Sequence, residues 1–179
     1  MQNDISIAFS TNIAPLYVKP LWQKLADARG FRCTFISARE GHKGIAVINP
    51  EEFLQRHLNA RWEFVKNIYA GKALIYQNGL LNKIYKSDFA AYVFLGEMYS
   101  LSTWVTALLC RIRRKPVFFW GHGYYGNEGF LKKNARTLFY KLANYHFLYN
   151  DRARELMINL GLDADKLITV YNSLDYDLH

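Results

Sequence analysis

Residues 116–129 read PVFFWGHGYYGNEG, and the rest of the fold follows from how this stretch is read. The apolar run Pro116–Trp120 has the length and composition of a buried strand. After it come Gly121, His122, Gly123, Tyr124, Tyr125 and Gly126. G-x-G-x-x-G between a strand and a helix is the spelling of a dinucleotide turn. There the glycines allow a tight bend, close approach to pyrophosphate and helix–strand packing. Three features oppose that reading. The x positions hold His122, Tyr124 and Tyr125, bulky residues where a backbone must approach phosphate. Asn127, Glu128 and Gly129 follow the third glycine, which puts the next helix start near Phe130. Asp151 stands where a ribose-binding acid belongs, but it directly precedes a helical run and suits a first-turn acid or cap. The turn is then either a loop whose glycines supply φ > 0, with aromatics packed as a lid, or one wall of a ligand cleft at a strand end. An NAD-binding turn through Gly121–Gly126 is the remaining alternative.

Outward from this unit the chain alternates. ISIAFS (5–10), FRCTFISA (31–38), ALIYQ (73–77), AAYVFLG (90–96), HFLYN (146–150) and KLITVYN (166–172) read as strands. PLWQKLADARG (20–30) reads as a helix opened by Pro20, striped by Leu21, Leu25 and Ala28, and closed by Gly30. Glu51–Ala70 carries Phe53, Leu54, Leu58, Trp62, Val65 and Tyr69 at helical spacing. Further helices are expected at about Leu80–Lys86, at 102–114, from 131, and at 151–161 closed by Gly161. Uninterrupted apolar strands separated by helices predict a parallel sheet with helices on both faces. The expectation is one Rossmann-like α/β domain over residues 1–172, with 173–179 beginning a linker.

The 179 residues suffice for one full core, and with 51% apolar and 16% aromatic residues the chain is not globally disordered. It opens on polar MQND and runs straight into a strand, with no leader-like pattern. Cys33 and Cys110 sit in apolar contexts without metal spacing and read as buried free thiols of a cytoplasmic protein. Of the net charge of +8, most lies in residues 111–141, where eight basic residues face the single acid Glu128. Such a field attracts phosphorylated substrates, anionic lipid or nucleic acid. A nucleic-acid-binding module is the weaker of these readings, because the aromatics lie in strands and are not interleaved with the basic run. In LKKNARTLFYKLANY, Leu131, Ala135, Leu138, Phe139 and Leu142 form one face; Lys132, Lys133, Arg136, Tyr140 and Asn144 form the other. The apolar face is expected on the sheet, which leaves Arg113, Arg114, Lys132, Lys133 and Arg136 as a solvated patch or a salt-sensitive contact with an anionic membrane.

The C-terminal third, NDRARELMINLGLDADKLITVYNSLDYD, resembles the close of the first domain of GT-B glycosyltransferases of the family 4 type. Gly161, Lys166, Leu167, Val170, Asn172, Ser173, Leu174 and Asp175 carry the match. FFWGHG is similar to the family's strand that ends in a cleft-facing histidine, and YQNGLL (76–81) and FLGEMYSLSTW (94–104) resemble loops of capsule- or polysaccharide-type bacterial members. The resemblance implies the acceptor-binding half of a retaining enzyme that uses a nucleotide-sugar donor and no bound metal, completed by a second Rossmann domain or a partner subunit. Its acceptor would be a sugar or a lipid-linked sugar, and its place the cytoplasm, peripheral to the membrane. His122 would contact the donor sugar or stabilise charge at the anomeric carbon. Gly121 and Gly123 would free the backbone around it, and Tyr124 and Tyr125 would shape the acceptor side. The family's glycine-rich loop after strand 1 is replaced by STNIAPLY, so Ser10, Thr11 and Asn12 would offer hydroxyl, amide and backbone groups. Glu97 would be either a cleft carboxylate or a helix-entry carboxylate beside Ser100 and Ser102.

Overall fold

The computed structural model describes residues 4–42, 44–71 and 73–171. Eight strands form one sheet: β1 (Ile5–Ser10), β2 (Phe31–Ala38), β3 (Arg61–Ala70), β4 (Leu74–Asn78), β5 (Ala91–Leu95), β6 (Val117–Gly121), β7 (Tyr145–Leu148) and β8 (Leu167–Thr169). The helices are α1 (Lys19–Ala26), α2 (Pro50–Arg56), α3 (Leu80–Lys86), α4 (Leu101–Ile112), α5 (Phe130–Tyr140) and α6 (Asp151–Asn159). The spatial order is β4-β3-β2-β1-β5-β6-β7-β8. Every neighbouring pair is parallel except β3–β4, an antiparallel hairpin at one edge. The chain winds outward from β1 in one direction through β2 and β3, and in the other through β5 to β8. The order therefore reverses between β1 and β5.

Alternation along each strand sends residues to two cores. Tyr92, Phe94 and Phe119 join Leu80 and Ile84 of α3, Ala107 of α4, Phe139 of α5 and Met157 of α6 on one face. Val93 and Trp120 join Trp22 of α1, Phe35 of β2 and Phe53 of α2 on the other. This second core is aromatic: Trp22 stacks on Phe35 at 4.4 Å, and Trp62 closes against both. On α1 the buried residues are Trp22 and Ala26, while Leu21 and Leu25 are half-buried. On that face α1 packs against β2 and α2 against β3. Beside α1, Ile7 of β1, Phe118 of β6, Phe147 of β7 and Val170, just after β8, line an apolar groove of about 360 Å³.

The helix expected over 51–70 is instead a short helix followed by a strand. Asn49 caps α2, its side-chain oxygen accepting from the backbone N–H of Glu51 and Glu52, and Pro50 sits at the first helical position. The helix stops at Arg56, and of the strand that follows, 61–65 pairs with β2 and 66–70 with β4. Trp62, Phe64, Val65, Ile68 and Tyr69 are strand formers, and Trp62 and Val65 belong to opposite cores. The three-to-four spacing of the apolar residues was coincidental across two elements.

The expected faces of α5 are also wrong. Leu131 and Leu138 are exposed, at 82% and 61%, whereas Arg136 is 3% exposed and Tyr140 is buried. Arg136 occupies the core side because Glu128, in the loop before the helix, comes with it. Two guanidinium nitrogens, Nε and Nη2, donate to the carboxylate at 2.8 and 2.6 Å, and the third, Nη1, donates to the Tyr140 hydroxyl. The two cysteines are free and buried, as their contexts imply. Asn172, Ser173, Leu174 and Asp175, with the rest of the expected linker, lie outside the described residues.

Candidate functional site

In an open parallel sheet the crevice for ligands opens at the carboxyl ends of the strands, where the winding direction reverses. Here that point lies between β1 and β5, and a cleft of about 380 Å³ occupies it. Thr11 and Asn12, which follow β1, Glu97, which follows β5, His122, which follows β6, and Tyr149, which follows β7, all line it. Four of the candidate residues, Thr11, Asn12, Glu97 and His122, are thus brought together.

The others are placed elsewhere. Ser10 is buried beneath the cleft, lining a small cavity with Asn12, Gln77, Glu97, Ser100 and Thr103. Its hydroxyl has no hydrogen-bond partner among the described residues. Tyr124 does not line the cleft: it packs in the core and donates its hydroxyl to the Gly126 carbonyl. Tyr125 is exposed, with its ring 5.8 Å from that of His122. Gly121 and Gly123 do not line the cleft.

Gly123 has a different task. Its φ is +70°, and a Cβ there would meet Met157 Sδ at 2.9 Å, Leu148 Cδ2 at 3.0 Å and Ala153 Cβ at 3.2 Å. The glycine lets the loop sit directly on β7 and α6, the opposite of leaving room for phosphate. Together with α5 starting only at Phe130, this geometry is not that of a pyrophosphate turn. Gly123→Ala is expected to cost about 2 kcal/mol, combining left-handed strain with overpacking. A urea melt at constant m-value measures it.

The His122 loop is therefore fixed at two points, by Gly123 on α6 and by Glu128 on Arg136. The β1 loop is held as firmly. The Thr11 hydroxyl donates to the Ile13 carbonyl, and the Asn12 side-chain oxygen accepts from the Ile13 N–H. Gln77 and Asn67, from the edge hairpin, donate to the Thr11 and Asn12 carbonyls at 3.0 and 2.8 Å. The Asn12 side-chain nitrogen has no hydrogen-bond partner among the described residues, whereas the Thr11 hydroxyl is engaged.

Electrostatically the cleft pairs an imidazole with a shielded carboxyl. His122 is exposed, its ring edge-on to Tyr149 at 4.6 Å. Burial pushes the Glu97 carboxyl above its ordinary value, while Arg136 and His122 pull it back. Burial also raises the Tyr149 and Tyr125 hydroxyls, so both stay neutral, two-way hydrogen-bonding groups. Such a set can bind and orient a polyhydroxylated ligand and move a proton at one of its hydroxyls. The Glu97 backbone also opens α4, its carbonyl accepting from the Ser100 N–H. Glu97 is thus among the residues that line the cleft, and α4, capped at Ser100, has no acid in its first turn. No group of three or more metal-ligating side chains occurs among the described residues.

Tyr149, Trp120 and Tyr17 also line the cleft and were not singled out from sequence. Tyr149 could have been, because it directly follows a strand as His122 does. Of the five residues of the expected basic patch, Arg114 and Lys133 are exposed. Lys132 is exposed but pairs with Glu128, and Arg136 is internal. Arg113 caps the end of α3, donating to the carbonyls of Ile84, Tyr85 and Ser87.

No protein-family model and no curated protein matches the sequence. Solved structures do match. A UDP-N-acetylglucosamine 2-epimerase superposes with a TM-score of 0.63 at 15% identity, covering 93% of this chain and 48% of its own. S. aureus MnaA, solved with UDP, gives 0.62 at 14% identity, covering 96% and 45%. The lipopolysaccharide outer core galactosyltransferase WaaB, in its apo form, gives 0.57 at 13%, covering 94% and 46%. The fold is one Rossmann-like half of GT-B. The chain spans about half the length of each of these structures. None of the described helices is long and apolar enough to cross a membrane.

Proposed function

We propose that this domain is the acceptor-binding half of a retaining, nucleotide-sugar-dependent glycosyltransferase that serves cell-surface polysaccharide or glycolipid synthesis. A second Rossmann-like domain or partner subunit would hold most of the donor. The carrying observation is the cleft at the β1/β5 reversal, where His122, Glu97, Asn12 and Tyr149 converge on one space. His122, held on a rigid loop at a strand end, is assigned to the donor sugar. Glu97 is assigned to an acceptor hydroxyl, which its shielded carboxyl can orient. A second reading, half of a nucleotide-sugar epimerase, is favoured by the UDP-N-acetylglucosamine 2-epimerase that superposes at a TM-score of 0.63, against 0.57 for the transferase.

Both readings place a nucleotide sugar in the cleft, so binding tests them first. Amide resonances of the labelled domain are expected to shift at Asn12, Glu97, His122 and Tyr149 on titration with UDP- or GDP-sugars. His122→Ala should abolish the shift, and NAD should leave these signals unmoved. A cleft that responds to NAD, or to none of the sugar nucleotides, would overturn the proposal. Mixing with an acceptor panel and a donor-binding half then separates transfer from epimerisation.

A further inference from the structure

The floor of the cleft is polar, and its hydrogen bonds do not close. Ser10 ends β1 and Ser100 caps α4, and both line the small cavity beneath the cleft, together with Glu97 and Thr103. A serine at a helix cap ordinarily accepts from the N–H groups of the first turn. The Ser100 side chain makes no such bond. It meets two hydroxyls instead: Thr103 Oγ1 donates to it at 2.8 Å, and Ser102 Oγ lies 3.3 Å away. Ser102 Oγ already accepts the Gln77 N–H at 3.0 Å.

The protons of these hydroxyls have few places to go, since each oxygen carries one. Among the described residues the Ser102 proton has one acceptor, Ser100 Oγ, so Ser100 receives two hydrogen bonds. Its own proton is then left to point into the cavity. The Ser10 hydroxyl, 3% exposed and without a partner among the described residues, adds a second donor there. Two converging O–H groups call for an oxygen that accepts both. The cavity measures about 10 Å³, room for one water and little else. A cation of that size is disfavoured by the two inward protons. Glu97 lines the cavity and the cleft alike, so a water seated between the two serines has a carboxyl to donate to.

We propose that this cavity binds one water, held by Ser10 and Ser100, which donates a hydrogen bond to the Glu97 carboxyl and so aims it into the cleft. Ser10 is thereby a positioning residue for Glu97, and not itself a contact for sugar or phosphate. That the aimed carboxyl serves an acceptor hydroxyl rests on the function proposed above; the water site does not. A hydrogen bond to the carboxylate favours its charged form, against the effect of burial. The charges acting on Glu97 come from Arg136 on α5 and His122 after β6, while Tyr125, Tyr140 and Tyr149 face it as neutral hydroxyls. The other residues lining the cavity are all neutral.

The test follows the Glu97 side-chain carboxyl carbon by NMR as the pH is varied, with Glu97→Gln assigning the signal. Ser10→Ala should raise the Glu97 midpoint by roughly half a pH unit, and Ser10→Cys, of similar size but a poor donor, should raise it too. Thr106→Val removes a buried hydroxyl that is bonded within α4, and should leave the midpoint in place. Repeating the titration in His122→Gln keeps the charge change of the imidazole out of the reading. A crystal structure of the domain should place one water within about 3 Å of Ser10 Oγ, Ser100 Oγ and the Glu97 carboxyl. Circular dichroism verifies that every variant is folded. An unmoved midpoint in Ser10→Ala overturns the proposal. So does a moved midpoint with no water at that place, which would mean a direct bond from Ser10 to Glu97. Both measurements use the domain without a sugar nucleotide, so a domain that binds none can pass them and one that binds several can fail.

Discussion

Arg136→Ala is expected to destabilise the domain by about 3–5 kcal/mol. The reason is the partner it abandons. The Glu128 side chain is 5% exposed and accepts both guanidinium hydrogen bonds. Those bonds hold its carboxyl below the usual carboxylate range, with Lys132 adding to the effect. Without Arg136 the carboxylate must be reached by water or take up a proton. Either change loosens the segment between β6 and α5 that carries His122. Urea melts should show the loss, and amide exchange should quicken from His122 to Gly129. Arg136→Met combined with Glu128→Leu should recover most of the stability, because two apolar groups remove the stranded charge. If the single and double variants are equally unstable, the pair is not what holds the loop.

The second large effect is acid lability, centred on His146. This residue is 2% exposed on β7, between the rings of Phe119 and Tyr140. Burial lowers it from the usual 6.5 to about 4, partly opposed by its hydrogen bond to the Tyr140 backbone. The folded state thus keeps His146 neutral where the unfolded chain would protonate it. Its contribution is fully present above pH 6.5 and is lost as the pH falls from 6.5 to 4, about 3 kcal/mol in all. The carboxylates held low, such as Glu128, are shifted in the same direction and likewise lose their contribution as the pH falls, but only from about pH 4.5 downward. Between pH 6.5 and 5 the histidine term is therefore separable. Urea midpoints across that window should fall in the native chain and stay level in His146→Gln. A native chain equally stable at both ends would refute the assignment.

Most of the sheet was legible because its central strands are apolar on both faces and cannot be mistaken for solvent-facing elements. Failure came where periodicity had two solutions. In Glu51–Ala70 the apolar residues satisfy a helical stripe, and only the break after α2 and the pairing of Trp62 with the β2 core make them a strand. On α5, counting Arg136 as polar rotated the helix, because its partner lies outside the helix at Glu128 and no periodicity includes it. The cleft was half legible for a related reason. His122, Glu97, Thr11 and Asn12 follow strands and can be read from strand ends. The amides of Asn67 and Gln77 that fix the β1 loop come from a hairpin visible only once Glu51–Ala70 is correctly read. Tyr124, which looked like a cleft residue, is core because Gly123 turns the chain inward one residue earlier.

The apolar groove beside α1, lined by β1 and β5 to β7, has a consequence for how this domain behaves in solution. Stability measured on it alone belongs to a state with Phe118 and Phe147 partly wetted. Anything that covers that side binds only the folded form and raises the melting point by mass action, as a ligand does. Each tenfold excess over the dissociation constant adds about 1.4 kcal/mol. The melting temperature of this chain is thus a function of what else is in the tube.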